Sequence, residues 1–205
     1  MNRIVCDSGP LLHLREAGVR DLLSSAGDVH IPIAVDLEIR SYEADWHIRR
    51  PAWLHVTPLD SGPALEARSW QQAGLLHYGE AQAIALARQL RADWLLTDDA
   101  AARLLAQSWG LEVHGSLGLV LWAAAMGHLS RREAETALDR LARSSRWVSP
   151  SVLLAAKAAL NQMAYLLSPS GSSCRLTRRD RNSHFLYPNF VFRAIDNRQS
   201  LARPS

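Results

Sequence analysis

Two short runs in this chain stop on aspartate and turn straight into helix: "RIVCDSGPLLHL" (3–14) and "DWLLTDDAAARLLA" (93–106). Their apolar stretches are too short for amphipathic helices and show no in–out alternation, so each reads as a strand buried on both faces. Pro10, just after an Asp–Ser–Gly turn, suits a place near the first position of a helix. A strand that must be covered on both sides, followed at once by a helix, restricts the chain to a parallel sheet between helical layers.

The rest of the sequence repeats that unit. "LLHLREAG" and "VRDLLSSAG" are helical pieces closed by Gly18 and Gly27, and "VHIP" (29–32) is a second strand stopped by proline. "IAVDLEIRSYEA" has apolar residues at helical spacing, which puts Glu38 on a helix. "LHVTPL" (54–59) is a strand or an extended edge, given Pro58. "PALEARSWQQAG" and "GEAQAIALARQLR" are two helices about the turn-prone "LLHYG"; a strand in "LEVHG" and helices in "SLGLVLWAAAMG" and "SRREAETALDRLARSS" follow the second aspartate turn. Ser149 and Pro150 open a last helix expected to run to about Asn161. The fold class is α/β: a three-layer sandwich whose central parallel sheet is flanked by helices.

With 48% hydrophobic residues the chain has ample material for a core. Its longest apolar stretch, at 116–127, is too short to span a bilayer, and the start lacks the layout of a signal peptide, so a cytoplasmic protein without membrane contact is expected. Cys6 and Cys174 lie far apart with no metal-ligand spacing, and Cys6 reads as a buried thiol. Eight histidines without an HxxxH or HExxH pattern argue against a histidine-bound zinc. The net charge of +3 divides into +5 for residues 166–205 and −2 for 1–165. That division separates a domain, 1–165, from an arginine-rich tail, 166–205, expected to be flexible. The stretch "FLYPNFVF" (185–192) inside the tail is expected to contact a partner, a second subunit or the domain itself.

In an open parallel sheet, ligands gather outside the carboxyl ends of the strands. Asp7 ends the first strand, Asp98 and Asp99 end the "DWLLTD" strand, Glu80 opens the helix after "HYG", and Glu38 rides on the helix after "VHIP". Each alone has an ordinary structural explanation: a helix cap for Asp7 or Asp99, a helix-dipole partner for Glu80, a solvated face for Glu38. Those explanations do not account for the convergence, because unpaired carboxylates crowded together raise one another's pKa and destabilise the fold. A hard divalent cation removes that penalty, and oxygen donors without thiolate or imidazole favour Mg²⁺ or Mn²⁺. Paired ions of this kind support hydrolysis of a phosphodiester. Around the acids, Ser8 and Ser116 stand at helix starts that suit either a cap or a phosphate, His77 and His114 lie near the same rim, and Thr97 suits a turn-ordering hydrogen bond.

The motifs "IVCDSGPLLHL", "IPIAVDLEI", "GEAQAIALA", "LLTDDAAARLLA" and "LEVHGSLGLVL", in this order and spacing over residues 3–160, resemble PIN-domain proteins of the branch related to VapC-type toxins. The resemblance implies a metal-dependent ribonuclease on a PIN-like sandwich, commonly a homodimer and often paired with a small antitoxin. It assigns Asp7, Glu38, Glu80 and Asp99 as catalytic residues and metal ligands, with Asp98 as a further ligand. Glu80 stands where many relatives carry aspartate, and Asp98 occupies the middle of the "T-x-D" turn, where many carry Asn or Arg.

The leading expectation is therefore a Mg²⁺- or Mn²⁺-dependent endoribonuclease acting on RNA as the toxin of a type II toxin–antitoxin pair. The alternative is a catalytically weak PIN-like module that binds RNA or protein. A phosphatase of doubly wound fold is disfavoured, since "DSGP" lacks a second aspartate two residues after Asp7. Arg15, Arg40, Arg49 and Arg50 are candidates for a local positive groove.

Overall fold

The computed structural model describes residues 1–144 and 148–167, with side chains as far as Met163. The chain divides into two compact units, Met1–Ser116 and Leu117–Ser205. The first holds five strands, β1 (Asn2–Cys6), β2 (Gly27–Ile31), β3 (Leu54–Val56), β4 (Trp94–Leu96) and β5 (Val113–His114), all parallel in the order β3-β2-β1-β4-β5. Interleaved with them are α1 (Ser8–Glu16), α2 (Leu22–Ala26), α3 (Ile33–Tyr42), α4 (Trp46–Arg49), α5 (Ser61–Gln72), α6 (Tyr78–Leu90) and α7 (Ala100–Ser108). This is the α/β sandwich that the strand–acid–helix units require.

β1 is central because its apolar residues tolerate cover on both faces: Ile4, Val5 and Cys6 are wholly buried. Burial of each large aliphatic side chain contributes about 1.5–3 kcal/mol. Helix α6 packs against β1, β4, α3 and α5, and Ala81, Ala83, Ala85 and Ala87 are buried along it. Such small side chains let a helix approach the sheet closely. Gly27 is needed at the start of β2, since a Cβ there would lie 2.1 Å from the Asn2 carbonyl oxygen. "LHVTPL" contributes only the short edge strand β3, ended before Pro58 as an edge with proline should be. Helix α4 is in no sequence expectation; its single turn is anchored by Trp46, which is fully buried.

In the second unit, α8 (Ser116–Ala125), which begins on the last residue of the first unit, is followed by α9 (Arg131–Arg143) and α10 (Pro150–Leu167). Ser130 and Glu133 cap α9 reciprocally. Between α9 and α10, Lys157 Nζ meets Asp139 Oδ1 at 2.6 Å and Arg131 Nη2 donates to Asn161 Oδ1 at 2.6 Å. Ser149 does cap α10, accepting from Val152 N, but the helix continues past Asn161 to Leu167. Beyond Leu167 the arginine-rich tail, with Cys174 and the aromatic stretch 185–192, lies outside the described residues.

Candidate active site

Asp7 leaves the carboxyl end of β1, fixed by its N–H donating to the Leu96 carbonyl at 2.9 Å. It occupies the N-cap position of α1 but makes no side-chain capping bond, so the helix does not account for its carboxylate. The group is only 5% exposed, and Oδ1 is buried without a hydrogen-bond partner. Oδ2 accepts from Thr97 Oγ1 at 3.2 Å. Burial pushes its pKa up to about 7; the Ser8 backbone N–H opposes the rise, the charges of Glu80 and Glu38 add to it, and the Thr97 hydroxyl opposes it.

Glu38 reaches the same place from α3 across Gly79, at the start of α6. A Cβ on Gly79 would lie 2.6 Å from Glu38 Oε2 and 3.8 Å from Asp7 Oδ1. Only a glycine lets the two carboxylates occupy that space. Glu80 is the third residue of α6, and its Oε2 accepts from the His77 backbone N–H at 2.9 Å, which completes the first turn. Burial raises its pKa, with the His77 N–H and charge opposing and Asp99 and Glu38 adding to the rise. Asp99 caps α7, Oδ1 accepting from Ala102 N at 2.7 Å, while its own N–H donates to Thr97 Oγ1 at 3.3 Å. Thr97 thus ties Asp7 to the turn that carries Asp99.

Glu80 is within electrostatic reach of Asp7, Glu38 and Asp99, and Asp7 of Glu38, yet among the described residues no group of three or more His, Cys, Asp or Glu side chains is placed so that it could hold a metal ion as it stands. Three features nonetheless suit a divalent cation: an orphaned buried oxygen on Asp7, the space kept clear above Gly79, and a donor set made of carboxylate oxygens. The residues that would hold it are Asp7, Glu38, Glu80 and Asp99.

Asp98 is placed differently. Its Oδ1 accepts from Ser116 N at 2.8 Å, and its Oδ2 accepts from Ser116 Oγ at 2.5 Å and from His13 Nδ1 at 2.8 Å. Ser116, one of two candidates for phosphate contact, is therefore spent on Asp98. His114 is buried in β5, hydrogen-bonded to Glu112 at 3.0 Å and packed edge-on against Trp94, while His77 is exposed at the N-cap of α6.

Two carboxylates not singled out in the sequence organise the arginines. Buried Asp36 accepts from Trp46 Nε1 at 2.8 Å, Arg40 at 2.8 Å and Arg50 at 3.1 Å. Burial alone would raise its pKa, but these hydrogen bonds and the two guanidinium charges hold it below the usual carboxylate range. Glu43 likewise receives Arg15 at 3.0 Å and Arg20 at 3.1 Å. The i, i+4 spacing of Asp36 and Arg40 was the only sign of either group in the sequence. Arg49 meets Asp45 at 3.7 Å, so the four candidate groove arginines are each paired with an acid.

Comparison with curated proteins finds no match. A family model described as a PIN domain, DUF3368, matches residues 3–162, which span both compact units. With that match over most of its length, the chain belongs to the PIN-domain family.

Proposed function

We propose that the chain is a Mg²⁺- or Mn²⁺-dependent endoribonuclease and the toxin of a type II toxin–antitoxin pair. The nuclease character of the PIN fold supports the general activity, and one observation carries the assignment to this site. Asp7 holds a buried, unpartnered oxygen near two further acids, and once the group is ionised that is costly unless a cation balances it.

In this reading Asp7, Glu38, Glu80 and Asp99 hold the ion. When bound, the ion supplies Lewis acidity toward the phosphodiester and toward water. The protein's own groups set the geometry: Thr97 fixes the Asp7 carboxylate and the Asp99 backbone together, and Gly79 keeps the space between Glu38 and Asp7 open. Water attacks phosphorus in line and the 3′ oxygen departs, leaving a 5′-phosphate and a 3′-hydroxyl. A small antitoxin and a second copy of the chain are the proposed protein partners, in the cytoplasm.

The test is incubation of the wild-type chain and Asp7→Asn with a panel of RNAs, in Mn²⁺ or in chelator. Cleavage by wild type in Mn²⁺ alone, lost in folded Asp7→Asn, is the expected result. Equal cleavage by both proteins, or cleavage that survives chelation, would refute the assignment. For the toxin role, expression of the wild-type chain should arrest growth, and co-expression of a cognate small antitoxin should relieve it.

A further inference from the structure

We propose that Asp98 is a positioning residue and not a cation ligand: it clamps the Thr97–Asp99 turn so that Thr97 and Asp99 face Asp7. The inference rests on the nuclease reading for its catalytic consequence, while the clamp itself is a matter of structure.

Both oxygens of Asp98 accept hydrogen bonds from donors on two elements. They come from α1, through His13 Nδ1, and from the first residue of α8, through the backbone N–H and the hydroxyl of Ser116. Its side chain is only 6% exposed. A carboxylate receiving a backbone amide, a hydroxyl and an imidazole is held by strong, charge-assisted bonds, and it would have to surrender them to turn toward the other acids.

The turn is fixed from a further direction. Arg103, buried in α7, donates from Nη1 to the Thr97 carbonyl at 3.1 Å. Gly115 leaves room for this packing: a Cβ there would lie 2.8 Å from Asp98 Oδ1 and 3.2 Å from Arg103 Nη1. In an extended stretch successive side chains alternate, so anchoring the middle residue on one side directs its neighbours to the other. There Thr97 Oγ1 donates to Asp7 and accepts from the Asp99 N–H. The doubled aspartate thus divides its work, Asp99 facing the acid site and Asp98 holding the turn that presents it.

The bond from His13 also sets a tautomer. A carboxylate only accepts, so the proton sits on Nδ1. Asp98→Asn keeps the shape but turns an amide N–H₂ or a weaker carbonyl toward His13, and the Nδ1–H donor bond is weakened or reversed.

The experiment compares the full-length wild-type chain with Asp98→Asn and Asp99→Asn. Mn²⁺ affinity is measured without RNA by electron paramagnetic resonance, the His13 tautomer by ¹⁵N NMR, exchange protection of the Asp99 amide by hydrogen exchange, and kcat and KM on RNA at saturating Mn²⁺. Asp98→Asn should keep Mn²⁺ affinity within about twofold, lower kcat by about 10- to 100-fold with little change in KM, shift His13 from its Nδ1–H form and deprotect the Asp99 amide; Asp99→Asn should weaken Mn²⁺ by about tenfold or more. Loss of Mn²⁺ affinity in Asp98→Asn as large as in Asp99→Asn would overturn the proposal, and so would unchanged His13 and Asp99 signals. If the wild type neither binds Mn²⁺ nor cuts RNA, the nuclease reading falls, and the clamp stands or falls on those two signals alone. Should Asp98→Asn fail to fold, His13→Ala and Ser116→Ala remove the two side-chain donors one at a time; both are read by Mn²⁺ affinity, kcat and protection of the Asp99 amide, and Ser116→Ala by the His13 tautomer as well.

Discussion

Asp7 carries a charge where water cannot solvate it, and that fixes how stability should respond to pH. A rise from the usual aspartate value near 3.9 to about 7 favours the neutral form by the order of 4 kcal/mol. The folded protein therefore binds a proton at Asp7 that the unfolded chain releases near pH 4. The stability this proton gives is full below about pH 4 and is lost as pH rises through about 7. Asp7→Asn, neutral at every pH, should match wild type near pH 4 and unfold at a higher temperature near pH 8, measured in chelator; a variant less stable at pH 8 would refute it. Gly79→Ala tests the neighbouring contact. The new Cβ would meet Glu38 Oε2 at 2.6 Å and push the flexible glutamate aside, so RNA cleavage should fall by at least about tenfold while the unfolding temperature moves by a few degrees. Asp7 was legible in the sequence because a strand end is a local feature. The partners of Asp98 were not, since His13 lies 85 residues away and Ser116 18 residues away, and only the fold brings them to one carboxylate.

Helix α6 has two uses for one residue. Glu80 completes its first turn through the His77 N–H and also faces Asp99 and Glu38. The two uses separate by substitution, because glutamine can still accept the capping bond but carries no charge. Glu80→Gln should keep stability within about 0.5 kcal/mol of wild type while cleavage collapses, whereas Glu80→Ala should also cost about 1 kcal/mol by loss of the cap. Urea unfolding and an RNA cleavage assay read the two effects independently, and full cleavage by Glu80→Gln would remove Glu80 from the site. The same element shows why strands and helices were readable: its buried alanines, like the apolar triplets of β1 and β4, declare themselves at short range. Helix α4 did not, because four residues are too few for a period and its anchor is a tertiary one, Trp46 on Asp36.

Across the whole molecule, the question is what positive charge remains for a polyanion. The arginines of α1, the α1–α2 turn, α3 and the segment around α4 are shared out among acids: Arg15 with Arg20 on Glu43, Arg40 with Arg50 on Asp36, and Arg49 on Asp45. Each Arg–carboxylate–Arg group keeps a single net positive charge, while residues 1–165 as a whole carry −2. Residues 166–205 carry +5, so if the substrate is RNA, much of the backbone attraction should come from that segment. For single strands the logarithm of affinity falls with the logarithm of salt by about 0.7 per phosphate neutralised. Replacing Arg178, Arg179 and Arg181 together by glutamine in the full chain should therefore flatten the salt slope by up to about 2, measured by fluorescence anisotropy in chelator. The unfolding temperature, measured alongside, separates a lost charge from lost structure. An unchanged slope would place RNA on the shared arginines instead, and Arg15→Gln with Arg40→Gln would then be the pair to lower it.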